Sequence, residues 1–288
     1  MVMKKLFYLF FVMLLALVAC EQLDEPGKSQ ENTAGNQKDP ENNPFIDSFV
    51  AKPFSVSATK TVTFSPGNLQ YHAVNNEWRF APSQLDYIGE ANANISATYN
   101  GWIDLFGWGT GNNPAKSSTD YNDYQTFVDW GVNKIGNDAP NTWRTLTYEE
   151  WNYIINIRSN ASNLKGVANV NGVNGFVLLP DDWVCPYGVA FESGFHDKSG
   201  VEYYAGYQTI SASDWVELEG SGAVLLPAAG SRYGSDVYSV QDCGVYRSDT
   251  ESLWGSAYYL EFYSNEANIG GDFYCSVGQS VRLVQDKK

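Results

Sequence analysis

Four groups of residues could do chemistry, and each has a plainer role to be weighed against it. The two histidines, His72 and His196, stand far apart and share no ligand spacing with the cysteines. A metal centre needs clustered His, Cys or carboxylate side chains, so both read as ordinary surface or loop residues and no metal or cofactor is expected. Asp181 and Asp182, beside Trp183, are the most site-like acidic pair. A glycosidase places two carboxylates across a cleft, but a turn after the apolar run GFVLLP accounts for this pair more simply. Glu149 and Glu150 are neighbours on a helical pattern, and adjacent helix positions diverge by about 100°. They read as charges at the positive end of a helix dipole. The chain has no G-x-S-x-G, no H-E-x-x-H and no phosphate-binding loop, so an enzyme is not the expected reading.

The fourth group suits recognition. The tract SAYYLEFYSNEANIGGDFYC, Ser256 to Cys275, is dense in Tyr, Ser, Asn and Gly. Tyr offers broad amphipathic contact at low entropic cost, and Ser, Asn and Gly adapt their hydrogen bonding. A flat aromatic face can also stack on sugar rings. Tyr246, Tyr258, Tyr259, Tyr263, Asn265, Asn268, Asp272 and Tyr274 are therefore the candidate ligand-binding residues.

These residues need a scaffold. TLTYEEWNYIINIR is the clearest helix: Thr147 and Glu150 form a capping box, and Trp151, Ile154 and Ile155 fall on one face, directed to a core. Arg158 suits the negative end of its dipole. SASDWVEL reads as a second, short helix capped by Ser211 or Ser213. Elsewhere the pattern is strands and turns. Val62 to Phe80 reads as two strands, TVTFSPGNLQYH and NEWRFAP, with turns at Ser-Pro-Gly-Asn and Asn75-Asn76. A long structured loop region follows, packed by Trp102, Phe106 and Trp108. GFVLLPDDW and GAVLLPAAG echo one another; each reads as a core strand that stops at its Pro or lies at an edge. VYRSDT, SAYYLEFYS and SVRLV complete the strands, and the uneven alternation of AYYLEF suggests burial on both faces. The fold class is α+β, with antiparallel sheets, one or two helices and long structured loops.

The N-terminal segment reads as a targeting signal and tether. Lys4 and Lys5 precede the apolar run Leu6 to Val18, which is too short for a comfortable membrane span. The run ends LVAC, so Cys20 is expected to be lipidated and to become the mature N-terminus. Residues 1–20 are thus a lipoprotein signal, 21–52 a disordered polar tether and 53–288 one domain. The cluster Glu21, Asp24, Glu25 resembles the export signal of Bacteroidetes surface lipoproteins. The expected location is the outer membrane, lipid-anchored and facing outward. The formal net charge of −15 opposes a phosphate backbone, so nucleic acid is not an expected partner. With Cys20 lipidated, Cys185, Cys243 and Cys275 remain, and an oxidising compartment favours one pair and one leftover. Cys243 and Cys275 flank the same terminal strands and are the preferred disulfide.

The order WRTLTYEEW, LPAAGSRYG, VYRSDT, AYYLEFYS and VGQSVRLV resembles the major paralogous domain family first described in Fibrobacter succinogenes, over Trp143 to Val284, about half of the chain. The upstream strings FSPGNLQY, WRFA and GWIDLFGWGTG resemble related Bacteroidetes lipoproteins. The resemblance implies a C-type-lectin-like fold. It also has departures: the family's W-S-S is here Tyr246-Arg247-Ser248, and the Glu-Pro-Asn, Gln-Pro-Asp and Trp-Asn-Asp strings of calcium-dependent sugar binding are missing. Neither do the cysteines have the close spacing that formylglycine-generating enzymes require. The expectation is non-catalytic recognition of a glycan or protein ligand through the C-terminal aromatic face. The alternatives are a subunit of a surface appendage or outer-membrane complex and, at lower weight, a carboxylate-dependent glycan-active enzyme.

Overall fold

The computed structural model describes residues 48–197 and 205–287; Cys20 and the signal segment lie outside them. The described residues form a mixed α+β structure, mostly strands, with few helices and several small antiparallel sheets.

The chain enters through β1 (Phe54–Ser55) and β2 (Thr61–Phe64), which pair antiparallel. TVTFSPGNLQYH does not make one strand. Pro66 has no N–H to offer a ladder, and Gly67 sits where a Cβ would meet the Ala81 carbonyl at 2.5 Å. The chain turns there into β3 (Leu69–His72), which pairs with β4 (Glu77–Phe80) and β5 (Trp102–Ile103) in a separate sheet. Asn76, at φ 48°, supplies the expected turn between β3 and β4. His72 is a correction: it is buried in β3, edge-on to Trp102 with ring centroids 5.2 Å apart.

The capping box forms as the sequence requires. Thr147 accepts from the Glu150 N–H and Glu150 from the Thr147 N–H, at the start of α1 (Tyr148–Asn152). The helix loosens into a π-turn over Tyr153–Ile157, and Trp151, Ile154 and Ile155 are fully buried. Arg158 stands at the C-terminal end of this helix, as its charge suits. It is buried, with Nε on the Ile154 carbonyl at 2.8 Å, Nη2 on the Leu164 carbonyl at 3.1 Å and Nη1 on Asp181 Oδ1 at 3.0 Å. It therefore satisfies carbonyls that the helix end leaves without partners. Burial lowers its guanidinium pKa, and Asp181 opposes the shift.

β6 (Lys165–Val170) and β7 (Val173–Leu178) lead to the pair β8 (His196–Asp197) and β9 (Ala205–Gly206), then to β10 (Gln208–Ile210). Ser211 caps α2 (Ala212–Gly220) by accepting from the Asp214 N–H. β11 (Val224–Pro227) then closes a four-stranded sheet in the order β10-β6-β7-β11. The two echoing strings are thus sheet neighbours, with Val224 opposite Leu178 and Pro227 opposite Gly175. Pro227 lies on the edge strand, where its missing donor costs no ladder bond. One face of this sheet carries Phe176, Leu178 and Leu226 into the main core beside Trp151; the other packs Val177 and Leu225 against Trp215 and Leu218 of α2.

Residues 48–52, assigned by sequence to the tether, belong to the folded part. Phe49 packs on the main core, the Val50 N–H reaches the Glu219 carbonyl, and Ser48 Oγ donates to the Glu219 carboxylate.

The last third holds the hairpin β12 (Ser231–Tyr233) and β13 (Asp236–Tyr238), then β14 (Gly244–Glu251) and β15 (Ser256–Phe262). β15 pairs with β14 along one edge and with β16 (Ala267–Asn268) and β17 (Asp272–Tyr274) along the other. SVRLV is not a regular strand. Residues 278–283 run extended between elements: the Ser280 N–H reaches Val245, the Arg247 N–H reaches Ser280, and the Leu69 N–H reaches Val281. Only then does β18 (Val284–Asp286) pair with β2.

Candidate functional site

The turn between β14 and β15 exposes two large apolar residues, Leu253 and Trp254. Ser252 N–H closes it on the Ser256 carbonyl at 2.8 Å. Within it Trp254 has φ 63° and Gly255 φ 73°. Gly adopts that conformation freely, whereas a bulky residue there is strained by about 1–2 kcal/mol. Trp254 is also 87% exposed and Leu253 71%, so no core packing compensates at the tip.

Neighbouring rings extend this tip into a ridge. A Cβ on Gly255 would stand 2.1 Å from Tyr121 Cδ2, so the Tyr121 ring lies directly on that glycine's backbone. Tyr121 in turn stacks on Tyr274, and Phe273 meets Tyr274 edge-on at 6.3 Å. The Asp272 carboxylate accepts from Ser252 Oγ and ties β17 to the turn. Tyr121, Tyr274 and Phe273 therefore form a connected aromatic ridge that begins one residue from Trp254, and each of the four side chains is at least 37% exposed.

The residues singled out by sequence separate into three sets. Asp272 and Tyr274 belong to the ridge. Tyr263, Asn265 and Asn268 are exposed at the opposite end of β15, where Tyr263 donates to Glu261 Oε1 at 3.1 Å and Asn268 to Glu266 at 3.1 Å. Tyr258 is half-buried against Tyr148, ring centroids 4.5 Å apart.

Two of the expected binding residues are corrections. Tyr246 is fully buried because its ring stands off β14 into the main core, stacked on Phe262 with centroids 6.4 Å apart. Its hydroxyl donates to the Pro227 carbonyl at 3.0 Å and accepts from Asn68 at 3.1 Å. Tyr259 is buried beneath the 270–273 strand crossing, where a Cβ on Gly271 would lie 2.9 Å from its hydroxyl.

The expected disulfide is a further correction: Cys243 and Cys275 are both buried free thiols, and Cys185 is free and exposed. Cys243 adjoins Gly244, which faces Phe262, whereas the Cys275 N–H bonds the Gly255 carbonyl. They therefore attach to opposite ends of β15, roughly 20 Å apart at strand rise, while a disulfide needs Cα atoms within about 7 Å. Burial pushes the Cys243 thiol up to about 12 and the Cys275 thiol up to about 11.

Asp181 and Asp182 hold structure, as the turn reading expects. Asp181 accepts from Ser55 N–H at 2.8 Å, Ser55 Oγ at 2.6 Å and Arg158, and Asp182 pairs with Lys52 at 3.6 Å.

Sequence reasoning missed Tyr121, Leu253, Trp254 and Phe273. The legible signal was ESLWG, two large apolar residues inside a turn between strands, where a hairpin needs only Gly or polar residues.

The 3₁₀ turn Tyr121–Tyr124, capped by Asp120, also borders a cleft. The cleft has a volume of about 460 Å³ and is lined by Trp108, Thr110, Asn113, Lys116, Asp123 and Gln125, among others. Lys116 lies over the Tyr124 ring at 4.5 Å and donates to the Asp123 carbonyl; the Tyr124 hydroxyl is held by the Ser118 carbonyl at 2.9 Å. Gly107 keeps the wall close, since a Cβ there would stand 2.4 Å from the Tyr124 ring.

No family model, curated protein or solved structure matches this chain.

Proposed function

We propose that this chain is a lipid-anchored protein of the outer membrane, displayed outward, whose domain recognises a glycan or protein ligand without catalysis. The observation that carries the reading is the aromatic ridge: a strained, almost wholly exposed Trp254 beside the exposed rings of Tyr121, Tyr274 and Phe273. Exposed aromatic rings on a rigid frame are the preferred anchors of binding sites, and backbone strain collects at functional positions. The C-type-lectin-like arrangement belongs to the same proposal. It is supported by mostly antiparallel sheets with two helices among the described residues and by the long stretch 104–147, which is free of regular strands. The membrane anchor is supported by the apolar run ending at Cys20.

The test is capture from glycan and protein arrays by the full-length protein and by Trp254→Ala and Tyr274→Ala variants. Loss of every hit in both variants, at an unchanged melting temperature, supports the ridge as the binding face. Equal binding by the variants overturns it.

A further inference from the structure

The cleft behind the Tyr121–Tyr124 turn has the chemistry of a sugar subsite, and we propose that it takes one neutral sugar residue of a glycan whose next residue stacks on the ridge. This rests on the recognition reading above and deepens it. The lining supplies three carboxamides, Asn112, Asn113 and Gln125, and the hydroxyls of Thr110 and Thr126. Each of these groups both donates and accepts, which is what sugar hydroxyls, themselves donors and acceptors, require. Lys116 and Asp123 bring one charge of each sign, so the lining as a whole favours neither an anion nor a cation. An anionic ligand would meet the protein's overall negative charge besides.

Trp108, 4% exposed, lies against this lining and reports on its occupancy. The cleft volume of about 460 Å³ falls within the range of small-molecule sites. The geometry also connects the two surfaces: Tyr121 lies on the ridge, while Asp123 and Tyr124 of the same turn line the cleft.

The experiment is titration of the full-length protein with a panel of neutral hexose oligosaccharides and their sulfated counterparts, followed by calorimetry and by the Trp108 indole ¹H–¹⁵N resonance. The expected result is binding of neutral members, a shift of the Trp108 resonance, and affinity lowered by about tenfold or more in the double variant Asn113→Leu, Gln125→Leu, whose melting temperature stays that of the parent. The proposal is overturned if no neutral member binds, if only sulfated members bind, or if the double variant binds as the parent does. If Trp254→Ala abolishes capture of a ligand that the double variant still holds, the recognition reading stands and the cleft is removed from it. If Trp254→Ala is without effect, the recognition reading itself falls.

Discussion

Tyr121 lies flat on Tyr274, ring centroids 5.4 Å apart and planes 13° apart, although the two residues come from distant parts of the chain. The stack joins an irregular loop to the last strand pairing of β15, and it makes the exposed ridge a property of the tertiary fold.

Trp254 is held in a left-handed backbone conformation without core contacts to repay it. Trp254→Gly is therefore expected to stabilise the protein by about 1 kcal/mol while abolishing ligand capture. Urea unfolding read by circular dichroism checks the first part. A destabilised Trp254→Gly variant would show that the ring is clamped by packing.

Asp181 and Asp182 are adjacent but unequal. Asp181→Ala leaves the buried Arg158 guanidinium without its carboxylate and removes two hydrogen bonds to Ser55. The expected cost is about 3 kcal/mol or more. Asp182→Ala breaks only an exposed pair with Lys52 and should cost less than about 1 kcal/mol. Chemical denaturation of the two variants separates these outcomes; equal effects would refute the assignment.

Asp104 is fully buried, and burial raises its carboxyl to about 6 against hydrogen bonds from Asn92 and the Ile88 N–H. The folded state binds the proton more tightly than the unfolded chain. This contribution to stability is therefore complete below the unfolded value near 3.8 and is lost as pH rises through about 6. Relative to the non-titrating Asp104→Asn variant, the parent should lose about 2 kcal/mol between pH 4 and pH 7. Parallel unfolding curves across that range give the difference; a flat difference would exclude the titration.

The three free cysteines should respond to reagents in two classes. Cys185, exposed, reacts with a maleimide in the native protein, whereas Cys243 and Cys275, buried and with raised thiol pKa values, react only after unfolding. Reducing agent should leave the melting temperature unchanged. Peptide mass mapping under non-reducing conditions that found Cys243 joined to Cys275 would contradict the structure.

Local chemistry was legible and long-range placement was not. The Thr147–Glu150 box, the Ser211 cap, the Asn76 turn and the edge position of Pro227 each depend on a few neighbouring residues, and all were readable. The break at Pro66–Gly67 was read only as a turn, because its role as a hand-off between sheets depends on the distant Ala81. Tyr258 and Tyr259 show the limit for the candidate site. Alternation says that they point to opposite sides of β15, but not that Tyr148 partly covers one and the 270–273 crossing buries the other. The Tyr121 contribution to the ridge carries no local signal at all, since its partner lies far along the chain.

The extended passage 278–283 and the pairing of β18 with β2 have a consequence for biosynthesis. These residues thread between elements made long before them and complete the sheet that the domain's first strands begin. A chain still being synthesised leaves β2 half-paired, so cooperative folding waits until residues 278–286 have emerged.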